Sequence, residues 1–200
     1  MALETEVKIR ISQEDLDPIR TRLTELGARC LSPRKKEENR LFDFPDGNLV
    51  TCGCAVRLRI YGDTTTLTFK GELKDDPRFK KREELESNVQ DAKTLTKVLE
   101  GLGMSICFEY SKFREIFRLS LDQRQVHICL DETPVGTFAE LEGSPADIES
   151  LAAKLGWTPD LFIKKNYVEM YLEGKAGERR QESEDRSQEE KDSSNLELET

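Results

Sequence analysis

Acids and bases recur at two-residue spacing along this chain. Glu4, Glu6 and Lys8 form one such set, and Arg57 with Arg59, Lys112 with Arg114 and Glu140 with Glu142 form others. Arg82, Glu84 and Glu86 make a further triplet, while Lys70 and Asp131 close alternating apolar and polar runs. In an extended strand residues i and i+2 lie on one face, so each set turns its charges to one side. Carboxylates bind hard divalent cations, and Arg and Lys bind phosphate oxygens. Seven acids (Glu4, Glu6, Glu84, Glu86, Asp131, Glu140, Glu142) stand against seven bases (Lys8, Arg57, Arg59, Lys70, Arg82, Lys112, Arg114). That mixture has the chemistry of a site for metal plus phosphate.

The elements that must carry these residues follow from periodicity and turn chemistry. Leu3–Ile11 alternates as a strand. A helix follows, with Asp17 as N-cap, Pro18 at the first helical position and Gly27 as the stop. An extended segment fits within Arg34–Phe44 and ends at the turn Pro45-Asp46-Gly47. Ala55–Tyr61 and Thr65–Lys70 read as a hairpin joined through Gly62-Asp63, and Lys81–Asn88 as a further strand. A helix fits Ala92–Leu102 before Gly103. Strands fit Cys107–Leu119, Gln125–Asp131 and Gly136–Glu142, with Asp122-Gln123-Arg124 as the turn between the first two. Helices at Ala146–Leu155 and Tyr167–Leu172 complete the pattern. Eight strands with local neighbours predict an antiparallel sheet in an α+β fold.

A charged strand face is ordinarily the wet outside of a half-buried sheet. Two features favour the opposite orientation. The charges come in tight i, i+2 sets on most strands, and the helices need an apolar surface to pack on. A sheet curled with its apolar side outward under the helices gives both. Its charged side then lines the lumen of an eight-stranded barrel, a tunnel just wide enough for side chains or one small ligand.

Composition narrows the classes. The 200 residues fit one ordinary domain. A net charge of −9 disfavours a nucleic-acid surface. The span 175–200 carries nine acids and five bases with almost nothing apolar, which predicts a disordered acidic tail over 174–200 behind a domain at 1–173. The five cysteines have no zinc or CxxC spacing, since only Gly53 separates Cys52 from Cys54. Reduced thiols, no signal peptide and no membrane-length apolar run predict a cytoplasmic protein.

Glu4-Thr5-Glu6-Val7-Lys8 resembles the ExExK signature of the CYTH superfamily of triphosphate tunnel metalloenzymes, named for class IV adenylate cyclase and thiamine triphosphatase. The resemblance continues in order through Ala55-Val56-Arg57-Leu58-Arg59, Thr68-Phe69-Lys70-Gly71, Arg82-Glu83-Glu84-Leu85-Glu86 and Lys112-Phe113-Arg114. Leu130-Asp131-Glu132, the run Gly136 to Glu142 and Lys165-Asn166-Tyr167 complete it. Asn166 stands where the family often has Ser, and Leu41 where an aromatic residue is common. The resemblance implies an eight-stranded tunnel that binds Mg²⁺ or Mn²⁺. Glu4, Glu6, Glu140 and Glu142 are then the first metal ligands, with Asp131, Glu84 and Glu86 nearby. Lys8, Arg57, Arg59, Lys70, Arg82, Lys112, Arg114 and Lys165 would contact phosphate oxygens.

Three functions fit these residues. A metal-dependent triphosphatase would act on tripolyphosphate, thiamine triphosphate or ATP, with Lys8 or Lys70 assisting proton movement. An adenylate cyclase would use the same grip to make cyclic AMP and pyrophosphate. A non-catalytic polyphosphate-binding module would bind without turnover. No nucleobase pocket is legible, which favours the triphosphatase. Monomer and homodimer are both open. His127 reads as a structural strand residue, Trp157 as packing at a helix end, and Arg34-Lys35-Lys36 as a solvated run diluted by Glu37 and Glu38.

Overall fold

A computed structural model describes residues 3–121 and 124–175. In chain order the elements are β1 (Leu3–Ile11), α1 (Leu16–Glu25), β2 (Arg29–Asp43), α2 (Asn48–Thr51), β3 (Ala55–Tyr61), β4 (Thr64–Lys70) and β5 (Lys80–Val89). They continue with α3 (Ala92–Gly101), β6 (Ser105–Leu121), β7 (Arg124–Thr133), β8 (Gly136–Glu142), α4 (Pro145–Lys154) and a 3₁₀ turn at Pro159–Leu161. The strands close into an antiparallel barrel in the order β1-β5-β4-β3-β2-β6-β7-β8. This is the expected α+β fold. A second unit begins at residue 165 and holds a helix over 167–175.

Local chemistry explains most boundaries. Tyr61 pairs with Thr64 across a two-residue turn in which Gly62 has φ 58°, a left-handed value that suits glycine. Asp91 caps α3 by accepting from the Lys93 and Thr94 amides, and Ser144 caps α4 by accepting from the Asp147 amide, with Pro145 in the first turn. In the second unit Asn166 Oδ1 accepts from the Glu169 amide and Glu169 returns the bond to the Asn166 amide, a reciprocal capping box.

Four expectations need correction. The N-cap of α1 is Asp15, which accepts bonds from the Ser12 amide and hydroxyl. Pro18 is therefore the third helical residue, still within the first turn where a missing N–H costs nothing. The second strand starts at Arg29, since register shifts let β2 follow β6 past Pro33. A short α2, unannounced by periodicity, forms where Asp43 gathers the amides of Phe44, Leu49 and Val50. The last helix runs on to 175, so residues 174 and 175 are helical, while the rest of the expected acidic tail lies outside the described residues. Asp122 and Gln123 of the expected turn also lie outside them.

The apolar faces of the strands point outward. Val7, Ile9, Ile128 and Leu141 are buried against Leu23 of α1 and Ile148 and Leu151 of α4. On another part of the wall Phe42 and Leu58 meet Leu99 of α3. The barrel therefore has its greasy cores between wall and helices and its polar residues within. Among the described residues no helix is long and apolar enough to cross a membrane. Leu141→Ala, at a fully buried position under the helices, should lower unfolding free energy in urea by about 2–5 kcal/mol. The urea midpoint would stay unchanged if this face were solvated.

Candidate active site

The lumen holds a continuous set of charges. Lys8, Lys70, Arg82, Lys112, Arg114 and Asp131 are buried, although an isolated buried ion costs several kcal/mol. Compensation comes first from one another. On the β6–β7 side Arg114 makes a bidentate pair with Asp131, Nε to Oδ1 at 2.7 Å and Nη2 to Oδ2 at 2.5 Å. Lys112 adds a 2.8 Å bond to Asp131 Oδ2. Glu37 lies under both bases, 3.5 Å from Lys112 and 3.8 Å from Arg114, and accepts from Asn39 Nδ2 at 3.0 Å. Arg114 also reaches Glu140, which accepts Lys8 Nζ at 2.7 Å on its other oxygen. Burial opposes ionisation of Glu140, but Lys8, Arg114 and Lys112 hold its carboxyl well below the usual range.

On the β1–β5–β4 side the signs are less evenly matched. Lys80 donates to Glu6 at 2.6 Å, and with Lys8 it overcomes burial to keep Glu6 ionised. Lys70 and Arg82 share one oxygen of Glu84, Arg82 Nε lying 3.0 Å from it. Glu4 has no such base to itself. Burial, the charge of Glu142 and a hydrogen bond with Glu84 push it up to about 9. Burial together with Glu6, Glu140 and Glu84 pushes Glu142 up to about 7. Lys70 shows the mirror effect, since burial and the Arg57 guanidinium bring it down to about 7.

Arg57 and Arg59 face Glu86 at 3.6 and 3.5 Å, and Glu86 accepts from Thr68 Oγ1 at 2.7 Å. Glu86 is exposed, so it belongs to the rim of this set and not to the buried carboxylates. Arg57 Nε is buried with no hydrogen-bond partner.

The barrel thus gathers Glu4, Glu6, Glu84, Glu140 and Glu142 with Lys8, Lys70 and Arg82, while Asp131 is committed to Lys112 and Arg114. Lys165 belongs to the second unit, where its Nζ meets both oxygens of Glu173 at 2.7 and 2.8 Å. Sequence reasoning missed Glu37, Asn39 and Lys80. Lys80 shares the parity of Arg82 and Glu84, a signal lost by starting the strand one residue late.

A family model described as the CYTH domain matches residues 2–199. The chain belongs to the CYTH domain family. A protein of Methanocaldococcus jannaschii named "Putative adenylate cyclase MJ0240" is 26% identical over 179 residues, spanning 84% of this chain and 98% of its own. Among solved structures, one called a "putative adenylate cyclase" from Vibrio parahaemolyticus has a TM-score of 0.73 at 18% identity, over 85% of this chain and 98% of that one. A structure from Hippeastrum described as a "putative adenylyl cyclase" that reveals a dominant triphosphatase activity has a TM-score of 0.67 at 16% identity, over 87% of this chain and 96% of that one.

Among the described residues of this CYTH barrel no three His, Cys, Asp or Glu side chains are already drawn together as a metal site. The donor set nonetheless fits a divalent cation. Burial and the neighbouring carboxylates push Glu4 and Glu142 above the ordinary range, a cost that a cation among them would offset, and hard carboxylate oxygens suit Mg²⁺ or Mn²⁺.

Two measurements follow. Asp131→Ala would leave Arg114 and Lys112 buried beside too little negative charge. Unfolding free energy should fall by about 3–5 kcal/mol, and a fall under about 1 kcal/mol would mean the network is solvated. The second concerns pH. The folded pKa values of Glu4 and Glu142 lie above the ordinary 4.5, so the stability they contribute is full below that pH and is lost as pH rises through 7 and 9. Lys70, lowered to about 7, acts in the opposite sense above that pH. The melting temperature in a chelator should therefore drop between about pH 5 and pH 7 and then level. Glu142→Gln should shrink the drop, and a divalent cation should raise the melting temperature more at pH 8 than at pH 5. A rise across pH 5 to 7 would contradict the crowding of these acids.

Proposed function

We propose that the CYTH tunnel binds a triphosphate chain with Mg²⁺ or Mn²⁺ and hydrolyses a phosphoric anhydride bond. The observation that carries this reading is the adjacency of two opposite surpluses. Burial and the neighbouring Arg57 and Arg82 bring Lys70 down to about 7, while burial and the neighbouring carboxylates push Glu4 up to about 9 and Glu142 up to about 7. A polyanion relieves the first surplus and a cation the second, and a metal–triphosphate complex supplies both.

Glu4, Glu84 and Glu142 would hold the cation, with Glu6 and Glu140 beside them already paired to lysines. A bound divalent ion supplies Lewis acidity toward phosphate oxygens and lowers the pKa of coordinated water. Arg57, whose Nε has no partner in the buried lumen, Arg59 and Arg82 would hold the phosphate chain and stabilise charge in the transition state. Lys112 and Arg114 would contribute positive potential while anchored by Asp131.

The two lysines divide by their environments. Lys8 is buried yet held above the ordinary lysine range by Glu140 and Glu6, so it stays cationic and binds. Lys70, at about 7, can take a proton from an attacking water as that water's oxygen bonds the terminal phosphorus and the bridging P–O bond breaks. Five free thiols suit the cytoplasm, where we place the enzyme.

A cyclase reading draws on the name of the Methanocaldococcus relative, and the Hippeastrum protein shows that one fold of this kind is described by both activities. Products decide. Tripolyphosphate, ATP and thiamine triphosphate incubated with the protein and Mg²⁺ or Mn²⁺ should each be assayed for orthophosphate, cyclic AMP and pyrophosphate. Orthophosphate release is the expected outcome, and cyclic AMP with pyrophosphate would replace it by the cyclase. Arg57→Ala should lower kcat about 100-fold or more. Calorimetric binding of tripolyphosphate with no product of any kind would leave only a binding module.

A further inference from the structure

Among the described residues, Glu37 Oε2, Asn39 Oδ1 and Arg57 Nε are buried atoms without a hydrogen-bond partner. All three belong to the lumen. Glu37 lies 3.5 Å from Lys112 and 3.8 Å from Arg114, and Asn39, two residues on along β2, shares its face. Asn39 is 1% exposed and Glu37 is fully buried. Arg57 enters from β3, where it is the register partner of Leu41, while Asn39 is that of Arg59. Asn39 and Arg57 are therefore diagonal neighbours across one ladder, a spacing that a long side chain spans.

These atoms differ in what would satisfy them. Glu37 Oε1 accepts from Asn39 Nδ2 at 3.0 Å, which orients the amide and turns Asn39 Oδ1 away from the carboxylate. Glu37 Oε2 is compensated by charge. Burial opposes its ionisation, but Lys112, Arg114, Arg57 and Arg59 hold the carboxyl below the ordinary range. Asn39 Oδ1 is neutral and has no such compensation, so it needs a donor. Arg57 Nε needs an acceptor. An ionised phosphate oxygen can accept from Arg57 but has no proton for Asn39, and a metal cation can bind Asn39 but not Arg57. The four bases around Glu37 also disfavour a cation here. A molecule that both donates and accepts satisfies the pair, and water does so with one hydrogen and one lone pair left over.

We propose that Asn39 and Arg57 hold the water that attacks the terminal phosphorus, and that Glu37 positions Asn39 for it. This rests on the triphosphatase reading above and adds the seat of its nucleophile. A hydrogen given to Asn39 Oδ1 and a lone pair given to Arg57 Nε fix the orientation of the water. Its second hydrogen is left for Lys70, whose basicity is lowered by burial and by the nearby Arg57 guanidinium. Its second lone pair is left for phosphorus. As the oxygen–phosphorus bond forms, one proton passes to Lys70 Nζ and the other hydrogen stays on the orthophosphate. The bridging P–O bond breaks with its electron pair on the departing pyrophosphate. Arg57 Nη2, held only by long contacts to Thr68 and Glu86, remains for phosphate oxygens.

Steady-state hydrolysis of tripolyphosphate by the full chain with Mg²⁺, and calorimetric binding under conditions of no turnover, test this. Asn39→Leu, similar in volume and without an acceptor, should lower kcat roughly 100-fold while the tripolyphosphate dissociation constant stays within about twofold. Asn39→Asp, which keeps an acceptor oxygen, should recover about tenfold of that loss. In Asn39→Leu the rise of kcat through about pH 7, where Lys70 loses its proton, should keep its position. A merely structural Asn39 would disturb Arg57 and move that rise. An unchanged kcat in Asn39→Leu, an equal loss in both variants, binding lost in step with kcat, or a displaced pH limb would each overturn the assignment and leave the triphosphatase reading standing. No orthophosphate from the wild-type chain would remove that reading, and the seat of the water with it.

Discussion

A closed barrel with ions inside has to balance its charges at close range, and the rest of this molecule follows from how it does so. The lumen admits too little water to screen a lone ammonium or carboxylate, and an unpaired buried ion costs several kcal/mol. The Arg114–Asp131 pair, with Lys112, Glu37 and Glu140 around it, is the densest solution. It is also cross-strand by construction. Arg114 and Asp131 are register partners on β6 and β7, and Lys8 and Glu140 are partners on β1 and β8. A one-residue slip of either ladder would turn those charges toward the helices and bring Phe113 or Val7 inward. The ion pairs therefore specify register as well as tolerating burial.

The same alternation determines where the hydrophobic effect acts. Strands that send charges inward send most of their apolar residues outward, so the main cores do not sit at the barrel axis. They form a layer under α1 and α4 and a smaller one under α3. The helices do not reach the ligand space. They hold the wall in the curvature that keeps carboxylates and bases far apart in sequence in contact, as when Glu6 of β1 meets its register partner Lys80 of β5 across 74 positions.

Legibility in the sequence followed this physics. Parity could be read where a strand alternates cleanly, as in Glu4, Glu6 and Lys8 against Val7 and Ile9, and there the inward face was assigned residue by residue. It failed where no position is apolar. From Arg34 to Arg40 every residue is charged or Asn, so nothing in the pattern distinguishes Glu37, fully buried, from Glu38, paired with Lys36 at the surface. Glu86 shows the converse. Its parity is that of Glu84, but the face of a strand says nothing about depth along the tunnel, and it lies exposed beside Arg59. Asp131 carried the right face and an unanticipated partner, because the sequence cannot reveal which opposite charge a tertiary contact will bring. The short α2 had no periodic signal, since its cause is one carboxylate, Asp43, collecting amides up to seven residues away.

Not every ion in the lumen is equally available to a ligand, and this separates scaffold from site. Arg114 has its guanidinium spent on Asp131 and Glu140, and burial notwithstanding its pKa is driven well above the ordinary value. Displacing those carboxylates would cost much of what a phosphate could return. Arg57 is the contrary case. Its contacts to Thr68 at 3.4 Å and Glu86 at 3.6 Å are long, and its Nε has none. Its positive charge is felt instead by Lys70, which it helps to deprotonate. An anion near Arg57 therefore meets a guanidinium whose donors are not already spent on close carboxylates. On the acidic side a cation near Glu4 and Glu142 gains two carboxylates by releasing their protons. Opposite surpluses of this kind, side by side, complement one ligand that carries both signs. The balanced ion pairs build the tunnel, and the unbalanced ones next to them give it something to bind.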